Sequence, residues 1–535
     1  MNADLRLALL VLLNLSAPAR AQDSDANSIF IEARLAPETL GQAIADAYRS
    51  NPALEGQRAQ LRALDEQIVQ ASSPYRLNVG INMSLQYRSQ EQRGLLGEFD
   101  TLRSRNLGAT VTMSQILLNG GRTAAQVSAA EATVLAGRER LREVENAILY
   151  EVVDAYVSVR RDQSLVAIQR RSFESYGRQL TQAIARERGG DLTRTDIAQA
   201  RAQREIIRAQ LAQAIANLQA SRGRFAVAVG RNPGALITPP TLPGLPVSLD
   251  GAFAIVEQES PSLWQAIMAT KAGDARIAAQ RAERAPIVAL TGSYGYTSPY
   301  SYQLRDAAPS ATGGVTLTMP LLTGGIIGSR VRAAVAERQQ LGFEVETTRR
   351  RALVNAQDAW NQAVAAGVQM EAGRLATEAA QAALTGVQRS FAEGFRSNFE
   401  VLDSEQRLLT AQLVETNATY ATYAAEARLL ATLGRLQAAV IDQAVPAYDP
   451  TRNTRRVRRQ TFGPFDPILA PIDRVQVPAA APRPAPVLPA ASDTRIRPAD
   501  VRSVTRPIGQ ALPIGPVLRG PAADDLNDSV VTDGS

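Results

Sequence analysis

Histidine and cysteine are both absent from the chain. Without them there is no imidazole or thiolate metal ligand, no Ser-His-Asp or Cys-His nucleophile, no disulfide and no cysteine to carry a lipid. Lysine is nearly absent too: Lys271 is the only one, so arginine carries almost all of the basic charge behind a net +6. No basic run interleaves with aromatic residues, which argues against nucleic-acid binding. Aromatics make up only 5% of the residues, while alanine is abundant, a composition suited to thin helical layers rather than a thick core. Long apolar runs are also lacking, so no membrane-spanning helix is expected. Arg6, the apolar stretch Leu7 to Leu15 and the small-x-small site Ala19-Arg20-Ala21 read as a secretory signal over residues 1–21. A stretch that short cannot cross a bilayer as a helix. These absences leave no catalytic, metal-binding or cofactor-binding residue to nominate. An exported, non-enzymatic protein is expected.

What the chain does contain is an unusual join, made twice. Residues 107–134 read LGATVTMSQILLNGGRTAAQVSAAEATV, a short alternating strand, a Gly120-Gly121 break and the start of a long helix. Residues 313–336 read GGVTLTMPLLTGGIIGSRVRAAVA and repeat the join at Gly324-Gly325. In both, a strand suited to a membrane barrel runs into a helix with no globular domain between. Upstream of the first join, Leu77, Val79, Ile81, Met83, Leu85 and Tyr87 alternate with Asn78, Gly80, Asn82, Ser84 and Gln86. A period of two held over about eleven residues matches a tilted transmembrane strand.

Taken in order, Pro37 and Glu38 open a helix interrupted at Asn51-Pro52 and stopped at Ser73-Pro74. A strand hairpin over about 77–117 follows, with residues 88–106 as its polar loop. From Gly121 the chain is free of proline as far as Pro233, long enough for a helical hairpin. Leu141, Val144, Ile148, Val152, Ala155 and Val159 form one apolar seam, and Leu149, Val153 and Tyr156 a second, so this helix has neighbours on both sides. Gly189-Gly190-Asp191 turns the chain, and Thr195 or Asp196 caps the returning helix. These elements make a first repeat over 22–233. A Pro-rich linker over 234–250 leads to a second repeat over 251–445, with its strand hairpin at about 287–320. Residues 446–535 are rich in Pro, Ala and Arg without periodicity and read as a disordered tail. One shift of 204 positions pairs Gly120 with Gly324, Asp154 with Asp358, Tyr156 with Trp360, Gly190 with Gly394 and Gly230-Arg231 with Gly434-Arg435. The two helical hairpins therefore have equal length, as neighbours in one cylinder require.

Four strands cannot close a barrel, and open strand edges are not tolerated in lipid. The chain must share a barrel with copies of itself: two copies give eight strands and three give twelve. The fold class expected is mainly α with membrane β, a strand barrel on one end of a helical tube.

The segments TLGQAIADAYRSNPAL, QILLNGG, GGDLTRTDIAQAR, MPLLTGG and GFRSNFEVLDSEQR, in this order and duplication, resemble the TolC family of outer-membrane efflux and secretion channels. The resemblance covers about residues 36–440. It implies a homotrimer whose twelve strands form one barrel in outer-membrane lipid and whose helices form a periplasmic tunnel. It also implies a periplasmic adaptor and an inner-membrane ABC or RND transporter as partners, and drug efflux or type I protein secretion as the work. By position in the family it makes Asp196, Phe391, Arg396, Glu400 and Asp403 gate residues at the periplasmic tip. Phe391 departs from a usual tyrosine and Glu400 from an aspartate. From the residues alone, Glu400 and Asp403 share a helix face and suit either a ring of carboxylates at a constriction or an ordinary solvated surface. A trimeric adhesin also builds twelve strands from three chains, but its strands are contiguous at the C-terminus, unlike these.

Overall fold

The computed structural model describes residues 37–93, 99–298, 301–441, 448–460 and residue 471. The expected signal and most of the expected tail lie outside the described residues. Helix does not begin at Pro37. Pro37–Glu38 is a short strand, β1, paired in parallel with β4 (Ala235–Leu236) at the start of the expected linker. Helix α1 (Leu40–Ser50) starts one residue after Glu38 because Thr39 and Gln42 close a capping box. Asn51 then ends α1 and caps α2 (Pro52–Ser72), so the Asn51-Pro52 interruption separates two helices rather than kinking one.

The strands β2 (Asn78–Arg93), β3 (Phe99–Leu118), β5 (Ile287–Ser298) and β6 (Ala308–Thr318) form one antiparallel sheet in the order β2-β3-β5-β6. Strand pairing continues through most of the stretch expected to be a loop, up to Arg93 opposite Phe99. The register puts Val79, Ile81, Met83 and Leu85 beside Met113, Val111, Ala109 and Leu107, and these beside Gly292, Tyr294, Tyr296 and Ser298. One face is therefore apolar and exposed. The opposite face carries Gly80, Asn82, Ser84, Thr110, Thr112, Ser293, Ser310 and Thr312, all small or polar. β2 and β6 are the unpaired edges.

Each hairpin passes into a 67-residue helix: α3 (Arg122–Arg188) after β3 and α7 (Ile326–Ala392) after β6. At about 1.5 Å per residue each is roughly 100 Å long. Helices α4 (Arg194–Val229) and α8 (Asn398–Thr432) return along them, and α5 (Leu249–Glu259) and α6 (Pro261–Ala282) open the second half. Near the sheet the wall runs α2, α3, α6, α7; farther away it runs α4, α3, α8, α7. Both seams of α3 are buried: nearer the sheet Leu141 and Ile148 pack beside α2 with Leu61, and farther along Leu149, Val152, Val153 and Tyr156 pack beside α1 and α4 with Phe225.

At the two joins Gly120, Gly121, Gly324 and Gly325 all have left-handed backbones, with φ of 66°, 81°, 59° and 82°. This conformation turns strand into helix within two residues and is open to glycine with little strain. Glu283, nearly buried at the end of α6, binds Arg122 of α3 and Arg330 of α7, each at 3.0 Å. One carboxylate thus ties the first turns of both long helices. The joins differ in one respect: a Cβ on Gly120 would stand 2.0 Å from the Ala285 methyl, whereas Gly324 faces open space.

The expected tail is ordered at its start. After the four-residue helix α9 (Ala438–Ile441), helix α10 (Arg452–Gln460) docks on α2 and reaches α3 through Arg138, which donates to Thr454. Asp65 of α2 is fully buried and accepts hydrogen bonds from Thr454 Oγ1 at 2.6 Å and Asn453 Nδ2 at 2.8 Å. Arg58 stacks between the rings of Tyr48 and Tyr448, and Arg458 pairs with Glu131. Such docking is polar, with Val457 as the buried apolar contact of the helix, so hydrophobic periodicity carries no trace of it.

Gly120→Ala should lower the midpoint of thermal unfolding more than Gly324→Ala. Both add the left-handed penalty of about 1–2 kcal/mol, but only the first adds a clash of about 1–3 kcal/mol. Equal losses measured by circular dichroism would mean that Ala285 gives way without cost.

Candidate gate at the helical tip

The far end of the wall is formed by two turns, one per repeat. In the first, Gly190 adopts φ of +87° and the Asp191 amide donates to Arg186 O. In the second, Gly394 adopts φ of +84° and the Phe395 amide donates to Ser390 O. Each turn then starts a helix with a capping box. Thr193 is the cap of α4, not Thr195 or Asp196; Asp196 is its N3 partner and takes the Thr193 amide at 2.9 Å and its hydroxyl at 2.7 Å. Ser397 caps α8 with Glu400 at N3. The repeat shift pairs Thr193 with Ser397 and Asp196 with Glu400, so the two carboxylates do the same local work.

Hydrogen bonds to these anions hold both carboxyls below the usual range: Thr193 does so for Asp196, and Arg396 followed by Ser397 for Glu400. The caps are therefore intact above the ordinary carboxylate pKa and are lost only as pH falls through the lowered values.

Of the five residues expected at a gate, the structure joins Arg396, in the turn before α8, to Glu400 in the first turn of that helix, Nη1 to Oε2 at 2.5 Å. Asp403 binds Arg407 one turn on, at 2.9 Å. Neither pair reaches Asp196. Within the chain, Arg396 closes its own turn rather than tying one helix to another. Phe391 is the residue that does cross between hairpins. Its ring lies under the Arg186 guanidinium, 4.4 Å from Cζ to centroid, a cation-π contact that brings the ends of α3 and α7 together. With a ring but no hydroxyl, Phe391 offers Arg186 its face.

Two turns above the tip a second set of contacts joins the repeats. Glu405 of α8, 8% exposed, accepts from Ser175 Oγ of α3 at 3.0 Å, and Tyr176 donates to Leu402 O at 3.3 Å. Gln203 Nε2 donates to Gln406 at 2.8 Å. Around them Ile168, Ile207, Leu402 and Leu409 form an apolar cluster. Burial pushes the Glu405 carboxyl up, against the opposing hydrogen bonds of Ser175 and Gln179. Arg186, Glu405 and Tyr176 carry no local sequence signature, because their partners lie on the other repeat. The two capping boxes, TRTD and SNFE, are local patterns that could have placed the caps, where Thr195 or Asp196 was expected.

A sheet apolar on one face and polar on the other, carried on two equal helical hairpins with polar turns at the far end, defines a channel protein of the outer membrane. The family model described as outer membrane efflux protein matches residues 43–231 and 254–435. The chain is 29% identical over 426 residues to the outer membrane efflux protein BepC of Brucella suis, spanning 80% of this chain and 92% of that one. It is 24% identical over 322 residues to the alkaline protease secretion protein AprF of Pseudomonas aeruginosa, spanning 58% and 66%. Its fold is similar to the Campylobacter jejuni CmeC outer membrane channel, with a TM-score of 0.67 at 14% identity over 83% of this chain and 97% of that one. The chain belongs to the outer membrane efflux protein family.

Two outcomes test the tip. The double change Glu400→Gln with Asp403→Asn should lower cation selectivity in planar bilayers, and unchanged reversal potentials would remove both carboxylates from the conduction path. Glu405→Gln keeps an acceptor for Ser175 but removes a buried charge. In the unmodified chain the raised carboxyl contributes stability that is complete below the ordinary carboxylate pKa and is lost as pH rises through the raised value. The variant should resist heat better at pH 7 and lose this pH dependence; a less stable variant would show that the ionised form is needed.

Proposed function

We propose that three copies of this chain close into one barrel and one helical tube, forming the passive outer-membrane conduit of an export system. The observation that carries this reading is the match between two pairs of open edges. The sheet ends in unpaired β2 and β6, and the helical wall ends in α2 and α4 on one side and α7 on the other. A neighbour that pairs its β6 with this β2 also sets its α7 beside this α2 and α4. On α7, Phe343, Val354, Val368 and Leu375 recur at intervals that fall on one helix face and are exposed in the single chain. A neighbour's helices would cover that stripe.

Three copies suit the polar face better than two. An eight-stranded barrel is filled by its own side chains, whereas twelve strands leave an aqueous lumen behind Asn82, Thr110, Thr112, Ser293 and Thr312. Ions and solutes then pass down the tube, and control falls to the tip, at Asp196, Phe391, Arg396, Glu400 and Asp403. A periplasmic adaptor and an inner-membrane ABC or RND transporter complete the path from the cytoplasm. The relatives' names cover both efflux and protease secretion, and a tube that does not read its cargo chemically suits either.

In outer-membrane fractions the protein should run as a heat-sensitive band of about three chains, and Phe343→Asp should convert it to monomer at lower temperature. A protein recovered only as monomer, before and after heating, would refute the shared barrel.

A further inference from the structure

The first strand hairpin outruns the second. β3 pairs with β5 only as far as Leu107 opposite Ser298, and β5 with β6 as far as Thr297 opposite Ala308. β2 and β3 continue alone from Gln86 opposite Asn106 to Arg93 opposite Phe99, a two-stranded ribbon about 25 Å long at about 3.3 Å per residue. Strand alternation fixes what its outward side carries. Below, that side is the apolar band of Val79, Ile81, Met83 and Leu85 with Val111 and Ala109, widened by Tyr294 and Tyr296 beside Val111 and Ala109 and topped on β2 by Tyr87. An aromatic ring at the end of such a band marks the border of the hydrocarbon. The next outward positions on β3 are Arg105, directly across from Tyr87, and then Arg103, across from Ser89.

Both arginines are exposed. The Arg105 guanidinium lies 6.0 Å from the ring centre of Tyr302, a contact that orients its planar fork along the barrel wall. Among the described residues neither forms an ion pair, and the acid-base pair at this end of the sheet is Arg305 with Asp306. Glu91 is the one acid on the same side of the ribbon, across from Thr101, among the described residues. The two guanidinium groups stand about 7 Å apart along one strand, level with the Tyr87 ring and one step past it, where head groups lie. Positive charge held at that height, without an ion-pair partner among the described residues, complements a phosphate, which arginine takes bidentately.

The geometry points to Arg103 and Arg105 as a docking site for the phosphate-bearing head group of an outer-leaflet lipid, with the acyl chains laid along the Ile81, Met83 and Val111 band. The site rests on the membrane placement of the sheet and on nothing at the helical tip. Its role is to seat the barrel in the outer leaflet and to brace the ribbon above it.

The test titrates the purified full-length oligomer in detergent with bis-phosphorylated lipid A and with the same lipid stripped of phosphate, counting bound lipid by native mass spectrometry. The unmodified protein should retain the phosphorylated lipid. Arg103→Gln with Arg105→Gln should bind it about tenfold or more weakly, the loss of two charge-assisted contacts, and the lysine pair should fall between. The stripped lipid should bind the unmodified protein as weakly as the phosphorylated lipid binds the glutamine variant. Equal retention by protein and variant, or equal retention of the two lipids, overturns the site and leaves only contact of acyl chains with the apolar band. Heat-sensitive migration is checked first for every variant. If the unmodified protein forms no such oligomer, the shared-barrel reading fails; an intact oligomer that ignores the phosphate sinks the lipid site alone.

Discussion

Backbone hydrogen bonding in lipid is the constraint on which the rest of this structure depends. A bilayer offers no water to an unpaired amide or carbonyl, yet this sheet stops at four strands with β2 and β6 open. A single chain cannot meet the requirement. The duplication of the sequence, the equal length of α3 and α7 and the lateral order of the helical wall all make sense as parts of an edge that must fit a copy of itself. Side-chain chemistry follows the same demand. Most positions on one face of the four strands are apolar or aromatic, and those on the other face are small or polar, the alternation of a strand with lipid on one side and water on the other.

The joins show how little sequence is needed to change architecture. Two left-handed glycines convert each strand into a helix, and Glu283 holds the two helix starts together through Arg122 and Arg330. Although the repeats are alike in sequence, their surroundings are not. α6 and the residues after it crowd the first join, through Ala285, and leave the second free. Within one chain the first joint is thus tight and the second open, because α6 packs between α3 and α7 whereas α2 lies on the other side of α3.

At the tip the charges are first satisfied at home. Asp196 and Glu400 cap their own helices, and Asp403 pairs along its own helix. Exposed pairs one turn apart are weak and screened, so they hold their own helix ends without tying one turn to the other. The contacts that cross from one repeat to the other are of another kind: a ring under a guanidinium at Phe391, and a buried carboxylate under a serine at Glu405. These lie on packed surfaces, where a change in protonation or partner has mechanical consequence. The tip therefore combines loosely held charge with a firmer hinge a few turns above.

Periodicity by itself determined the strands, the two helical hairpins, their equal length and the glycine joins, because a period of two, a proline-free run and a repeated glycine pair are local or strictly repeated signals. The cap expected at Thr195 or Asp196 lies instead at Thr193, and Ser397 caps the second turn; both boxes are local patterns that could have been found from spacing alone. Pro37–Glu38 read as helix because its strand partner lies some two hundred residues away, at Ala235–Leu236. The α10 strap escaped notice because its anchors, Asp65, Thr454 and the Arg58 stack, are polar and distant in sequence. The same holds for Arg186 beneath which Phe391 sits, and for Glu405. Only the tertiary structure decided these contacts, since each depends on which surfaces two separate helices bring together, and no spacing within one helix records that.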